Sequence, residues 1–523
     1  MAPGPATRLP STAALDLPRP TASDVVAGVS VALVLIPQSL AYAGLAGMPA
    51  YVGLFASALP LLIFAVFASS PYLQTGPVAL TSLLTFGALE SAGFIANSEP
   101  DAATYIAAGA LLAVLVGALR LALGILRLGN VAYLICEPVM IGFMSGAAIV
   151  ILSSQLPKVF GATPPDSYGT LRAAAWAVVH PGQWEVAALV LSVITMAFML
   201  GGRKIHRLFP GVLIAVMVGL VYSLATDYGG PVVLDDGEIP SGLPSVSFDL
   251  PWSDVGSLLI GAIVIALVGF AEPASIARTF ANQERSHWNA SRELFSSGLA
   301  NVVSGASGAF PVGGSFSRSS VNKFAGAQTR WSGGITGAVV LAFLPFARVL
   351  EELPKAILGA IVVGAVLGLV RPIRLVKLWQ RSWSQAALAW VTFLATLIST
   401  PRVEWAIALG VVLTVVHHFV LTLRVPTQPD PDRPDVTTAR PEGLLWIGSQ
   451  GRFERQLGQL IDDHPDRSIQ LDLGDTPALD AATVDVIAGQ AARLRQAGHE
   501  LTWINPPEGA DAMLRTATDL PRQ

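Results

Sequence analysis

Two ionisable side chains lie in the apolar part of the sequence, where a charge is costly and therefore indicates function. Glu272 belongs to an apolar stretch, and Arg318 follows a glycine-rich interruption. A buried carboxyl group favours its neutral form, so Glu272 could carry a proton together with an anion. A guanidinium group binds carboxylates and oxyanions through paired hydrogen bonds, so Arg318 could bind the anion. The structural alternatives are a hydrogen bond from Glu272 to a half-helix, an ion pair between the two residues, or an Arg318 side chain that snorkels to the membrane edge.

Two short, uncharged, glycine-rich breaks interrupt the apolar sequence at residues 74–77 and 310–314. Each break precedes a segment of about half the length that crosses a membrane. The N-terminus of such a half-helix offers free N–H groups to an anion, and transporters bind their cargo at broken membrane helices. We therefore predict an anion site at the breaks and the helix starts. Its candidate residues are Thr75, Gly76, Val78, Ala79, Gly314, Ser315, Phe316, Ser317 and Arg318.

Gln38 and Tyr42 are two further candidates, one helical turn apart in the first apolar stretch. An amide at this depth costs free energy unless it forms hydrogen bonds, and a tyrosine hydroxyl can donate to an anion. Both residues are therefore assigned to the substrate site. A hydrogen bond between helices for Gln38, and interfacial packing for Tyr42, are the alternatives.

The composition is that of a membrane protein. Of the 523 residues, 52% are hydrophobic and only 13% are charged, whereas soluble proteins carry roughly 25% charged residues. A net charge of −4 without a basic stripe excludes nucleic acid as a partner. One cysteine excludes an internal disulfide bond. Because no nucleophile–base pair or metal-ligand set is apparent, we expect no enzyme activity, metal or cofactor.

About fourteen apolar segments predict an α-helical, polytopic membrane protein, with two of the segments spanning only half the bilayer. The segments divide into two sets of seven. The first set covers 24–46, 49–68, 77–90 (a half-helix), 102–124, 130–153, 184–201 and 209–226. The second set covers 254–276, 289–306, 315–327 (a half-helix), 331–350, 355–370, 383–399 and 402–424.

Lysine and arginine are distributed unequally between alternate loops. If the tail of residues 1–20 is cytoplasmic, most cations fall in cytoplasmic loops, and the outer loop 227–253 carries five acidic residues and no cation. This positive-inside pattern predicts a multi-pass protein of the cell inner (plasma) membrane with both termini in the cytoplasm. The cations assigned to cytoplasmic loops are Arg120, Arg127, Arg203, Lys204, Arg207, Arg278, Arg285, Arg292, Lys323, Arg330, Arg371, Arg374, Lys377, Arg381 and Arg424.

The two sets of segments repeat one pattern. The residues Ser-Asp-Val open both sets, at 23–25 and 253–255, and a polar residue beside a proline follows in each. The glycine-rich break comes two segments later. Because seven is an odd number, the second repeat must be inverted relative to the first, and the two half-helix N-termini should face each other near the bilayer centre. The transmembrane domain is predicted at 21–424, with repeats at roughly 21–226 and 252–424.

The C-terminal region has a different character. Residues 425–441 are rich in proline and aspartate and predict a stiff linker. Strands then alternate with helices over 442–523, which indicates a small α/β domain with a mainly parallel sheet. The predicted strands are 444–447, 469–473 and 501–504, and the predicted helices are about 452–463, 480–497 and 509–517.

Several stretches of the chain, at 36–43, 75–79, 142–148 and 315–319, resemble the sulfate permease (SulP) family of anion transporters, which includes pendrin and prestin. The C-terminal region resembles the family's sulfate-transporter and anti-sigma-antagonist (STAS) domain. The resemblance implies inverted repeats folded into core and gate domains, an elevator-like movement, and a cytoplasmic tail that dimerises or regulates. Residues 480–483, Asp-Ala-Ala-Thr, depart from the phosphorylatable turn of related domains, so a serine switch is not expected there.

These observations predict a proton-coupled secondary transporter of small anions. One arginine, two facing helix N-termini and a titratable glutamate favour a carboxylate cargo, such as the C4-dicarboxylate fumarate. Sulfate or bicarbonate is the alternative within the same family. A proton-coupled nucleobase permease and an anion channel are further alternatives. The expected partners are the anion, protons, the lipid bilayer and a second copy of the chain in a homodimer.

Overall fold

The computed structural model divides the chain after Val411 into two compact units. Most of the predicted N-terminal tail, the predicted strand at 444–447 and Asp480 lie outside the described residues. The residues described are 18–94, 102–129, 137–165, 167–205, 209–236, 238–240, 242–370, 372–381, 383–421, 427–429, 436–441, 450–463, 467–474, 476, 479, 481–496, 498–507 and 510–519.

The first unit is helical and has two halves. The first half contains α1 (Ala22–Leu45), α2 (Ala50–Phe55), α3 (Leu59–Phe67), α4 (Ala79–Ser91), α5 (Ala102–Ile125), α6 (Glu137–Phe160), α7 (Thr170–Val179), α8 (Val186–Met196), α9 (Gly202–Ile205) and α10 (Gly211–Thr226). The second half contains α11 (Val255–Gln283), α12 (Ala290–Ala306), α13 (Phe316–Phe324), α14 (Trp331–Phe343), α15 (Lys355–Val366), α16 (Pro372–Arg381), α17 (Trp383–Ile398) and the start of α18 (Glu404–Leu421), within which the division falls. Seven helical stretches of the described residues are long and apolar enough to cross a membrane. This architecture confirms the predicted polytopic helical fold.

The helices form two bundles. In the first bundle, α12 packs against α3 and α5, α14 packs against α1 and α3, and α11 packs against α4 and α5. In the second bundle, α6 packs against α15 and α17, and α8 packs against α10 and α15. The bundles meet where α1 contacts α10 and α15 and where α4 contacts α6. They correspond to the core and gate domains that the resemblance implied.

The first bundle contains the inverted repeat. Helices α1 and α11 each carry an internal proline, Pro37 and Pro273. The short helix that follows each break packs on the proline-containing helix of the other repeat, because α4 contacts α11 and α13 contacts α1. This exchange is the arrangement that an inverted repeat requires, and it brings both breaks to the centre of the bundle.

Three local features differ from the sequence-based segments. The predicted span 49–68 is interrupted between α2 and α3, where Ser57 Oγ donates to the carbonyl of Gly53 at 2.8 Å.

Helices α7 and α16 were not predicted as separate elements. Helix α16 is amphipathic, with Leu375 buried and Ile373 and Trp379 exposed. A short amphipathic helix lacks the continuous apolar run on which span prediction rests.

The assignment of Arg120 to a cytoplasmic loop is wrong. Arg120 lies within α5 and is 0% exposed. Its guanidinium group donates hydrogen bonds to main-chain carbonyls of α11, at 2.9 Å to Ile265 and 3.1 Å to Ala266. Because these acceptors come from a helix distant in sequence, hydropathy and charge counting could not detect that this cation is buried.

Asp24 links the start of α1 to the connection before α14. It is 0% exposed, and its Oδ1 accepts from the main-chain N–H groups of Gln328 (2.8 Å) and Thr329 (2.9 Å). Its Oδ2 accepts from the N–H of Thr21 at 2.9 Å, within a capping box. Asp254, its counterpart in the second repeat, accepts no hydrogen bond through its carboxylate in the described part of the chain.

We predict that Asp24→Ala lowers the free energy of unfolding by about 3 kcal/mol, because it removes one of the two hydrogen bonds of the capping box and leaves two further buried N–H groups without an acceptor. The matched variant Asp254→Ala should change it by less than about 1 kcal/mol. Unfolding of the two purified proteins in detergent, followed side by side, measures the difference. Equal effects would contradict the linking role of Asp24.

The second unit contains a small α/β domain, as predicted. Its described elements are β1 (Thr427–Pro429), β2 (Val436–Ala439), α19 (Gln450–Asp463), β3 (Ser468–Asp472), α20 (Ala481–Gln496), β4 (Leu501–Ile504) and α21 (Ala510–Asp519). The strands are ordered β1-β2-β3-β4, with β2, β3 and β4 parallel and β1 antiparallel to β2. Phe453, Leu471 and Ile487 are 0% exposed in its core.

The predicted linker at 425–441 is corrected by the structure, because it supplies β1 and β2. Thr437 pairs with Ile469 in the parallel ladder and with Pro429 in the antiparallel one. The segment 436–438, Val-Thr-Thr, is β-branched and favours a strand. A proline is tolerated in β1 because β1 lies at the edge of the sheet. Proline content alone therefore misassigned this region.

We predict that a chain ending at residue 424 still yields a folded membrane unit, because the α/β domain has an apolar core of its own. Size-exclusion chromatography in detergent should give one monodisperse peak for the truncated and full-length proteins alike. Aggregation of the truncated protein alone would show instead that the membrane unit requires the C-terminal domain to fold.

Candidate functional site

The two breaks form hydrogen bonds with each other. The N–H of Gly313 donates to the carbonyl of Gly76 at 2.9 Å, and the N–H of Ser315 donates to the carbonyl of Gln74 at 3.0 Å. Thr75 Oγ1 also donates to the carbonyl of Gly313 at 3.3 Å. These pairs make the breaks antiparallel, so α4 and α13 leave the junction in opposite directions. The junction therefore brings both half-helix N-termini together.

Polar side chains of other helices hold the second break. The Asn301 amide accepts from the N–H of Val312 (2.9 Å) and donates to its carbonyl (3.1 Å). Ser304 Oγ donates to the carbonyl of Phe310 at 2.7 Å, and Arg120 Nη1 donates to the carbonyl of Val312 at 3.2 Å. Unwound backbone inside a membrane needs such partners, because water cannot supply them.

The first break is held in the same way. Ser319 Oγ accepts from the N–H of Gln74 at 2.9 Å, and Asn322 Nδ2 donates to the carbonyl of Tyr72 at 3.1 Å. Glu293 Oε2 accepts from the N–H groups of Ser69 and Ser70 at 3.2 Å and 2.8 Å. Helices α12 and α13 therefore fix the irregular segment that precedes α4.

Two glycines of the breaks are required, one by its backbone conformation and one by close packing. Gly76 has a φ of +130°, a conformation that other residues rarely adopt. A Cβ atom at Gly314 would lie 2.9 Å from the side chains of both Leu73 and Pro273. The close approach at Gly314 brings the second break against the proline that follows Glu272.

A cavity of 1410 Å³ lies beside this junction, between the two bundles. The first bundle contributes residues of α1, α4, α11 and α13 to its wall, and the second contributes residues of α6 and α15. The cavity extends along α11 to Arg278 and reaches Arg374 of α16. The predicted site residues on its wall are Tyr42, Val78, Ala79, Glu272, Ser315, Phe316 and Ser317.

The other predicted residues lie behind the wall. Gln38 and Thr75 are each 2% exposed, and Arg318 is 0% exposed. Gly76 and Gly314 form the close main-chain contacts at the junction. The structure thus divides the predicted set into residues that can contact a bound molecule and residues that support them.

Arg318 lies close to the junction, and its side chain does not reach the protein surface. A Cβ atom at Gly76 would lie 3.5 Å from its Nη2 atom. Its three guanidinium nitrogens have no hydrogen-bond partner in the described part of the chain. Tyr42 and Glu272 are near enough to interact with it electrostatically. A buried cation without acceptors is costly, so an anion in this region would stabilise it.

Glu272 lies on the cavity wall at the point where α11 contains Pro273. It is half-buried, and it interacts electrostatically with Tyr42 and Arg318. Its side chain is therefore accessible from the cavity. Helix α6 contributes a second carboxylate, Glu137, from the opposite bundle.

Comparison with known proteins identifies the family. The sequence profile of the Sulfate permease family matches residues 22–392. The chain belongs to this family. This family consists of anion transporters and not of enzymes.

Two proteins with similar sequences are named as sulfate transporters. The chain is 34% identical over 403 residues to sulfate transporter 4.1, chloroplastic, of Arabidopsis thaliana, covering 76% of this chain and 58% of the relative. It is 36% identical over 380 residues to a probable sulfate transporter of Mycobacterium tuberculosis, covering 72% and 66%. The chain therefore spans 58% and 66% of the length of these two relatives.

Solved structures share the fold at low sequence identity. The structure of SLC26A9 superposes with a TM-score of 0.79 at 20% identity, covering 94% of this chain and 86% of that one. The transmembrane domain of the cyanobacterial bicarbonate transporter BicA superposes with a TM-score of 0.63 at 22% identity, covering 75% of this chain and 97% of that one. At these identities the likeness supports the fold alone.

Sequence reasoning missed the residues that hold the breaks, above all Arg120, Asn301, Ser304 and Asn322. Their signal was weak but present, since an asparagine or arginine within an apolar segment needs partners. Nothing in the sequence indicated that those partners are the main-chain groups of the breaks.

Proposed function

We propose that the protein is a secondary transporter of sulfate that works by alternating access. The observation that carries this proposal is the junction itself, where two half-helix N-termini meet beside a cavity. Helix N-termini favour anions, and the buried Arg318 guanidinium adds a positive charge next to them. The names of the relatives support sulfate over the C4-dicarboxylate that the sequence favoured. A nucleobase permease is less compatible, because a neutral cargo would not neutralise Arg318 when Glu272 is protonated.

The arrangement of the two bundles suggests the transport movement. Both half-helices belong to the first bundle, whereas α6 and α15 of the second bundle form the opposite wall of the cavity. A displacement of the first bundle along the second, as in an elevator, would carry the site from one side of the membrane to the other. Such a rigid-body movement keeps the hydrogen bonds that hold the breaks.

Charge distribution supports an orientation for this movement. Arg278 of α11 and Arg374 of α16 lie at the far end of the cavity, and the positive-inside pattern assigns both cations to the cytoplasmic side. We infer that the cavity opens inward, that the protein lies in the plasma membrane, and that both termini are cytoplasmic. We also retain the prediction of a homodimer, which light scattering of the detergent-solubilised protein would test.

Glu272 is the proposed proton carrier. It faces the cavity next to Arg318, so its protonation would remove a negative charge from the site as the anion enters. Net transport of one sulfate with protons would then follow an inward proton gradient.

The decisive experiment is uptake of labelled sulfate into proteoliposomes, with and without an inward proton gradient. We expect saturable uptake that the gradient stimulates and that unlabelled sulfate competes away. Unlabelled fumarate, bicarbonate and uracil are each added as competitors of sulfate uptake, because they represent the alternative substrates. Uptake of labelled fumarate without uptake of sulfate would overturn the assignment in favour of a carboxylate.

A further inference from the structure

Arg120 lies inside the first bundle, directly behind the second break. Its Nη1 atom donates to the carbonyl of Val312 at 3.2 Å and to Ser297 Oγ at 2.9 Å. Its remaining hydrogen bonds go to the carbonyls of Ile265 and Ala266. One arginine of α5 thus ties α11 and α12 to the unwound backbone of the break.

Every hydrogen-bond acceptor of Arg120 is neutral. The side chain is 0% exposed, and it forms no ion pair with a carboxylate in the described part of the chain. Buried arginines usually pair with an acidic group, because an uncompensated charge is costly inside a protein. A guanidinium stays protonated under all ordinary conditions, so this positive charge is permanent.

The charge lies close to both half-helix starts. Val312, its acceptor, precedes Ser315 by three residues, a stretch of chain that can span at most about 10 Å. A Cβ atom at Gly269 would lie 2.5 Å from Arg120 Nη2 and 3.2 Å from Thr81 Cγ2. Thr81 belongs to the first turn of α4. Arg120 therefore lies behind the start of α4 as well as behind the second break.

We propose that Arg120 is a positioning residue that also sets the charge preference of the site. It holds the carbonyl of Val312 in place, and its permanent charge makes the junction favour a doubly charged anion over a singly charged one. This inference rests on the proposed function, because it assumes that the anion binds at the junction.

The charge preference has a quantitative signature. Coulomb energy is proportional to the charge of the ligand. Removing one fixed positive charge from the protein therefore reduces the binding free energy of a dianion by twice as much as that of a monoanion. At about 10 Å and an effective dielectric constant of about 20, the loss is about tenfold for a monoanion and about a hundredfold for a dianion.

Sulfate and perchlorate are a matched pair for this test, because both are tetrahedral oxyanions of similar size that differ in charge, and each variant is compared with the wild type for the same ion. Their inhibition constants would be measured against uptake of labelled sulfate into proteoliposomes. Arg120→Gln should raise the constant about a hundredfold for sulfate and about tenfold for perchlorate. Arg120→Lys keeps the charge but loses most of the guanidinium hydrogen bonds, so it should raise both constants by equal factors.

Two further variants separate charge from structure. Asn301→Ala removes a neutral donor from the same Val312 carbonyl, so it should weaken both anions by equal factors. Ser297→Asp places a carboxylate beside Nη1 and neutralises the charge without removing the guanidinium, so it should reproduce the loss that is selective for sulfate. If Arg120→Gln does not fold, Ser297→Asp tests the charge preference in its place.

Equal factors for the two anions in both Arg120→Gln and Ser297→Asp would overturn the charge preference, and unchanged constants would overturn the inference altogether. A wild-type protein that takes up no sulfate would instead contradict the proposed function.

Discussion

Replacing Ser317 by tryptophan should abolish sulfate uptake while the protein remains folded. Ser317 lies in the first turn of α13, is half-buried, and lines the cavity beside the junction. An indole ring there would occupy the space that the anion needs, whereas the 1410 Å³ cavity leaves room for the ring itself. We expect a loss of at least about a hundredfold in the initial rate of uptake into proteoliposomes.

Ser257→Trp is the matched control, because Ser257 is exposed near the start of α11 and does not line the cavity. It should transport at the wild-type rate. Val78→Trp repeats the test at the start of α4, the other half-helix. Normal uptake by both cavity variants, with size-exclusion profiles like those of the wild type, would place the anion site elsewhere in the molecule.

Glu272→Gln should abolish accumulation of sulfate driven by an inward proton gradient. The amide resembles the protonated carboxyl group but cannot release a proton, so each transport cycle would lose its coupling. Exchange of internal for external sulfate needs no release of the proton and should be much less affected. The two measurements, made on the same proteoliposomes, therefore separate coupling from binding.

Glu137→Gln is the matched control for this prediction. Glu137 also lines the cavity, but it belongs to the opposite bundle. It should retain both accumulation and exchange. Accumulation that persists in the Glu272 variant would mean that another group carries the proton, and loss of both activities would show that Glu272 contributes to binding or to folding.

The sequence determined the architecture because its signals are local. Apolar runs, the two breaks and the Ser-Asp-Val openings at 23–25 and 253–255 predicted an inverted repeat with two half-helices. The structure confirms this fold, with α4 packed on α11 and α13 packed on α1. The parallel strands β3 and β4 were likewise predicted near their observed positions, since alternation of short strands and helices is a local pattern.

The tertiary structure decided which side chains face the cavity and which support the breaks. Tyr42 and Ser317 reach the cavity wall, while Gln38 and Arg318 lie behind it. Arg120 was assigned to a loop, although it is buried. These outcomes depend on contacts between segments more than a hundred residues apart, such as Arg120 with Ile265. Local periodicity and charge counts contain no information on such contacts, because burial and hydrogen bonding are properties of the packed bundle and not of one helix.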